Sequence, residues 1–420
     1  VAAAIQSARV GARTLVVEAL GSLGGTQANG WVTPMMPNYL DDFKLDRGIN
    51  EEIVAAQREL QGAGDAVPHA DVWYDPVGLA LVLDRIVAKA GVEVLLGATV
   101  AGASASDGKV GEIEVVARGG RLRLEGRCYV DATGDGELAA LAGAEMLPDE
   151  GRRQPMTLRF AMGGLDLSAL SEGLPGIWRT NAGGYLEAGY GELKESPLGD
   201  SVRAAIASGM LEEDDLGYWQ VFTMNGRPGE LAFNCPRIAG FDPLDPFALS
   251  EAYRIGREKI ARIAAFTRTL PGCAAGYVSA VAPLMGIRES RRVRGEYVLT
   301  GEDHAGRVKF EDVIARNRYP VDIHLARGIL HPQPYPPGEW HDVPYRSLVV
   351  RGFSNLWVAG RCLSADFVAQ SAVRIQPVCR SMGAAAGAAA ALCARSGLSA
   401  QSLRYPDLAA WLDLALPAPD

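Results

Sequence analysis

The sequence predicts an α/β fold: a Rossmann-like domain with a parallel sheet, interrupted by an inserted α+β domain. Three observations carry that prediction. The chain opens on an Ala-rich helical stretch, a glycine, and an apolar strand ending in an acid. Gly-rich turns follow strand-like runs near residues 21–30, 132–136 and 360. From about Gln154 to Val343 the strand–helix alternation gives way to more Trp, Tyr, Pro and charge. The expected organisation is residues 1–155 as the first part of a dinucleotide-binding domain and 156–343 as a substrate domain. Residues 344–400 complete the first domain, and 401–420 form a C-terminal tail or helix.

Val1 to Ala8 reads as a helix with no Ser, Thr or Asp cap before it, ended by Gly11. Thr14 to Glu18 has the β-branched run of a buried parallel strand. In a dinucleotide-binding βαβ unit, an acid roughly 20 residues past the glycine turn accepts hydrogen bonds from a ribose hydroxyl. Glu18 is therefore a candidate ribose ligand, and the first strand and glycine turn are expected ahead of Val1. Gly21 to Gly30 (GSLGGTQANG) lets backbone approach a ligand, or is a plain surface loop. A helix is expected from Tyr74-Asp-Pro76 to Ala90, and a single strand from Gly91 to Val100. Tyr129 to Leu138 runs from strand to helix through Ala132-Thr133-Gly134-Asp135-Gly136.

Met156 to Met162 looks like a strand entering the inserted domain, and Ser250 to Thr269 like a helix stopped by Pro271-Gly272. Arg288 to Arg294 is read as a strand, with Arg288, Ser290, Arg292 and Arg294 on one face and Glu289 and Arg291 on the other. Those arginines form an anion site for a carboxylate or phosphate, or are neutralised by Glu289, Glu296 or Asp303. Asp322 and His324 share a strand face, where the acid would orient the imidazole for proton transfer. Leu356 to Ala359 is a buried strand ending in Gly360-Arg361. Pro377 suits the start of a helix that runs through Met382 to Ala394, with Gly383 and Gly387 packing closely against a sheet.

Composition narrows the function classes. A net charge of −9 with a pI near 5.3 argues against nucleic acid as a partner. Six irregularly spaced Cys are no disulfide framework and favour a reducing, cytoplasmic setting. Five His without helical ligand spacing predict no metal site. The small-apolar run Gly383 to Ala394 is too short for a lipid span, and no secretory signal is visible, so no membrane partner is expected. Cys362 and Cys379 lack redox-dithiol spacing and read as buried thiols.

In order, Tyr74-Asp-Pro76, Gly91 to Val100, Tyr129 to Leu138, Met285 to Arg292, Tyr319 to His324, Asn355 to Arg361 and Ala372 to Pro377 cover nearly the whole chain. Together they resemble the FAD-dependent oxidoreductases of the glutathione-reductase-like flavoprotein superfamily, nearest a bacterial group loosely associated with xanthan lyases. The resemblance implies FAD, with Glu18 on the ribose, the backbone of Val100 beside the adenine, and Ala132, Thr133 and Gly134 against the dinucleotide. Gly360 and Arg361 would approach the ribityl and pyrophosphate portion, Arg361 pairing either with phosphate or with a neighbouring carboxylate. Gly24, Gly25, Thr26 and Gln27 would border the isoalloxazine, and the helix start at Ile375 and Gln376 would point at it.

His324, Arg291 and Glu289 are the catalytic candidates, the last two for contact with the flavin edge or substrate. The implied activity is hydride transfer between a small anionic or hydroxylated substrate and flavin N5, with an unidentified electron acceptor. A homo-oligomer is compatible with the sequence. The competing reading is a cofactor-free truncated remnant acting as a scaffold or oligomeric binding protein. A carbohydrate lyase rests on the group's name alone.

Overall fold

The computed structural model describes residues 1–40, 43–61, 73–180, 186–190, 193–330 and 335–414. Four short strands, mostly apolar, pair in parallel two by two. The Leu15–Glu18 strand lies beside Glu93–Leu96, and Tyr129–Asp131 beside Leu356–Val358. The expected parallel pairing is present, as two two-stranded sheets among the described residues, and the fold is mixed α/β. The predicted strand from Gly91 to Val100 is broken. Its chain turns at Gly97-Ala98, so Glu93–Leu96 serves the parallel pair and Thr99–Ser106 opens an antiparallel three-stranded sheet with Lys109–Ala117 and Gly120–Glu125.

Helices cover these strands. Pro76–Lys89 starts under Asp75, whose carboxylate accepts from the N–H groups of Val77 and Gly78. Ala2–Arg9 crosses Gln376–Ser396 so closely that the latter's small residues are required. Gln376–Ser396 is long and apolar enough to cross a membrane by length and composition, yet 72% of its apolar window is buried inside the protein. It packs with Trp357, Leu348 and Ala359 in one core.

A second core is built on a six-stranded sheet between Phe160 and Val281. Phe160 stacks on Phe233 at 4.4 Å, and the 22-residue helix Pro246–Thr267 packs Ile260, Ile263 and Phe266 against the same cluster. Two sequence expectations fail here. Met156 to Met162 is two strands, Met156–Thr157 and Phe160–Gly163, because the first pairs with Arg237–Ile238 and the second joins the large sheet. Arg288 to Arg294 is not a strand: it is extended chain pinned by isolated bridges at Gly286, Val293 and Gly295.

Candidate active site

The turn after the Tyr129–Asp131 strand is organised by a buried acid. Asp131 Oδ1 accepts from the Thr133 N–H (3.0 Å) and hydroxyl (2.7 Å), and Oδ2 accepts from the Ala139 N–H at 2.9 Å. Thr133 Oγ1 in turn accepts from the Glu137 N–H at 3.1 Å. The result is a fixed turn with Ala132 and Thr133 exposed and Gly134 at φ +81°. A Cβ at Gly134 would sit 2.7 Å from the Arg361 guanidinium. Arg361 forms an ion pair with Asp135 at 2.5 Å, so the carboxylate alternative for this arginine is present in the structure. Its Nε is buried without a partner. The Ser290 hydroxyl also donates to Asp135, and Arg291 Nη1 donates to the Asp135 carbonyl at 3.4 Å. Residues 132–135, 288–291 and 360–361 are thus brought together.

A second gathering joins the front of the chain to its tail. Gly24 has φ +108°, and a Cβ there would lie 2.7 Å from the Ala28 Cβ. Gly25, Thr26 and Gln27 continue into a short helix, Gly25–Ala28. Gln27 Oε1 accepts from Arg380 Nη2 at 2.9 Å, while Arg380 Nη1 donates to Asn50 Oδ1 at 2.5 Å. Gln376 clamps the following loop: Oε1 accepts from the Met36 N–H (3.0 Å), and Nε2 donates to the Val32 and Pro34 carbonyls (3.2 Å each). Ile375 is the N-cap of the Gln376–Ser396 helix, and no side chain caps that helix end. The helix dipole leaves positive potential there. Glu18 closes its strand, with its carbonyl accepting from the Ala98 N–H at 3.0 Å; Val100 follows in the next strand, opposite Val115.

The same network reaches a buried acid. Asp46 Oδ2 accepts from Asn50 Nδ2 at 2.6 Å, and burial pushes its pKa up to about 7. The fold therefore holds the Asp46 proton more tightly than the unfolded chain does. This contribution is full below the ordinary value near 3.8 and is lost as pH rises toward 7. Asp46→Asn is expected to match the native protein near pH 4 and to exceed its unfolding free energy by roughly 4 kcal/mol at pH 8. Urea denaturation at the two pH values checks this.

The third gathering holds the remaining candidates. Asp322 Oδ2 lies 3.0 Å from His324 Nε2 as expected, though Asp322 stands just ahead of the Ile323–His324 strand rather than on it. His324 Nδ1 faces Arg237 Nη2 at 2.6 Å. A guanidinium only donates, so Nδ1 accepts and the ring proton sits on Nε2 toward Asp322. Burial holds the imidazole well below its usual pKa, and both nitrogens are engaged. Glu289 is buried, its Oε2 has no partner, and burial raises its pKa to about 7. With Met146, Pro148, Arg152 and Arg291 it lines a pocket of about 230 Å³.

The predicted two-faced pattern of Arg288 to Arg294 does not hold. Arg288 and Glu289, which should face opposite ways, are both buried, because the segment has no strand partner to impose alternation. The predicted neutralising acids are also different. Arg294 pairs with Glu145 (2.6 Å) and Arg292 lies 3.7 Å from Glu150. Glu296 accepts from Gln401, and Asp303 from Tyr297 and Thr300. Sequence reasoning singled out neither Asp131 nor Arg159, Arg237 and Arg374. A lone Arg within the apolar Met156 to Met162 run was the available signal for Arg159.

Comparison with known proteins gives the family of the chain. A family model described as FAD dependent oxidoreductase matches residues 1–412, and the chain belongs to that family of enzymes. No curated protein sequence matches it. Among solved structures it is similar to a geranylgeranyl bacteriochlorophyll reductase-like protein from Thermoplasma acidophilum, at 13% identity and TM-score 0.46, covering 98% of this chain and 78% of that one. A p-nitrophenol 4-monooxygenase from Pseudomonas putida gives 12% and 0.41 over 98% and 80% of the two chains. A myxobacterial chondrochloren halogenase gives 12% and 0.44 over 98% and 75%.

Proposed function

We propose that this chain is a flavoprotein oxidoreductase of the glutathione-reductase-like type that exchanges hydride with a small anionic or hydroxylated substrate. The observation that carries the reading is the uncapped start of the Gln376–Ser396 helix, fastened by Gln376 and Arg380 to the loop containing Gly24 to Gln27. The residues fit FAD. Gly24 and Gly134 keep backbone free of side chain, and a Cβ at Gly360 would meet nothing. Gln27 Nε2 and Arg361 Nε are buried donors without partners.

Glu18, Val100, Ala132, Thr133, Gly134, Gly360 and Arg361 would hold the adenosine and diphosphate. Gly24, Gly25, Thr26, Gln27, Ile375 and Gln376 would face the ring. Bound FAD would supply two-electron redox chemistry. The chain's own part is then to orient the substrate and manage its proton. Glu289 suits that task, since a carboxyl titrating near 7 both gives and takes a proton at neutral pH. Arg291 lies beside it in the same pocket. His324, neutral and engaged at both nitrogens, would fix Arg237 rather than carry the proton itself.

Incubation of the full chain with FAD, followed by desalting, is expected to leave a yellow protein that dithionite bleaches. A folded protein that stays colourless would overturn the reading in favour of a cofactor-free scaffold.

A further inference from the structure

Between the two cores lies a group of buried cations with too few anions. Arg159, Arg237 and Arg288 are each at most 8% exposed, and none has a carboxylate partner among the described residues. Arg159 donates to the carbonyls of Trp31 and Thr33. Arg237 donates to the carbonyls of Leu325 and Gly328 and to His324, and lies 3.7 Å over the Tyr218 ring. Arg288 donates to the Pro155 carbonyl and the Thr157 hydroxyl. Arg374 alone of the four makes an ion pair among the described residues, with Asp322 Oδ2 at 3.3 Å, which His324 shares; the Asp322 charge also acts on Arg237 and Arg288, one acid for several cations. Burial first, and then Arg237, Arg374 and Arg159, push the Arg288 pKa down against the opposing pull of Asp322.

Carbonyl partners satisfy hydrogen bonds without cancelling charge. A buried ion is costly unless it is paired, and like charges in one interior add to that cost. The unused polar atoms of the arginines and Gln154 are donors, while neighbouring Glu289 and Gln370 each leave one oxygen unpartnered. Arg237 Nε, Arg374 Nε and Gln154 Nε2 are buried without partners, and Gln154 Oε1 already accepts from Arg374 and the His324 N–H. A carboxylate, which only accepts, answers both deficits. The position suits a substrate. Arg159 holds the Trp31–Thr33 stretch of the loop that Gln376 clamps, and Arg374 directly precedes Ile375.

We propose that Arg159, Arg237, Arg288 and Arg374 form an anion site that takes a carboxylate of the substrate, with His324 and Asp322 as positioning residues for Arg237 and Arg374. That the occupant is the substrate rests on the flavoenzyme reading; the anion site itself does not.

The test is calorimetric titration of the full chain, with and without FAD, using acetate, succinate, fumarate, benzoate and inorganic phosphate in low-salt buffer. At least one carboxylate is expected to bind one per chain with a Kd below about 1 mM. Arg237→Met and Arg288→Met should each weaken it by about tenfold or more while leaving FAD affinity unchanged. Should none of the carboxylates bind the folded native chain, or phosphate alone bind, the proposal is wrong. Carboxylate binding that survives in a folded Arg237→Met/Arg288→Met double variant would also overturn it. Carboxylate binding in a chain that does not take up FAD would uphold the anion site and sink the flavoenzyme reading instead.

Discussion

Gly387→Ala is expected to destabilise the protein by about 3 kcal/mol or more, while Gly383→Ala one turn earlier is nearly neutral. Both glycines lie in the Gln376–Ser396 helix where Ala2–Arg9 crosses it. A Cβ at Gly387 would stand 2.0 Å from the Ala3 carbonyl oxygen and 2.6 Å from its carbon. Those are main-chain atoms, so no side chain can rotate away. The two helices would have to separate along an interface where Ile5, Met382 and Ala386 are buried. At Gly383 the nearest atoms are the Ala2 Cβ at 3.1 Å and the Ala3 nitrogen at 3.3 Å. That crowding is a few tenths of an ångström, and the helix-propensity gain of about 1 kcal/mol for Gly→Ala offsets it. Urea unfolding of the two variants side by side gives the comparison. Equal losses would mean that the crossing is looser than its backbone distances indicate.

Those two glycines show how much the sequence could tell. Their spacing among alanines announced a helix with one crowded face, but the expected partner, a sheet, is wrong: Ala2 and Ala3 of the opening helix lie against the two glycines. The strand–Gly–helix turn at Tyr129 to Leu138 was legible because backbone chemistry is local: Asp131, Thr133 and Gly134 build the turn within their own neighbourhood. Asp322 and His324 met as expected because they are two residues apart, although only His324 lies in the Ile323–His324 strand. Arg288 to Arg294 misled because strand alternation needs a neighbouring strand, and none pairs along this stretch. The acids at Glu145 and Glu150 reach Arg294 and Arg292 across well over a hundred residues of sequence. No spacing rule reports such a pairing. Arg159, Arg237 and Arg374 were invisible for that reason too, since their meaning lies in what surrounds them rather than in what adjoins them.

Arg361→Met and Asp135→Asn are expected to move FAD affinity in opposite directions. Arg361 has two prospective anions. One is Asp135, at 2.5 Å. The other is the diphosphate that the family's cofactor would bring to the turn at Gly134, against which the guanidinium is packed. A charge-assisted hydrogen bond contributes about 1.5–3 kcal/mol, so Arg361→Met should raise the FAD Kd by roughly 10- to 100-fold. Asp135→Asn keeps the shape but removes a negative charge beside the phosphates and frees the guanidinium to turn toward them. It should lower the Kd, by a few-fold at low salt and less as ions screen the site. A guanidinium that serves only the protein predicts a different result: the two variants would lose similar stability and leave the Kd unchanged. Fluorescence titration of FAD with each variant, at low and at physiological salt, separates the two cases. The sign of the Asp135→Asn effect decides between them, because loss of a merely structural ion pair gives no route to tighter cofactor binding.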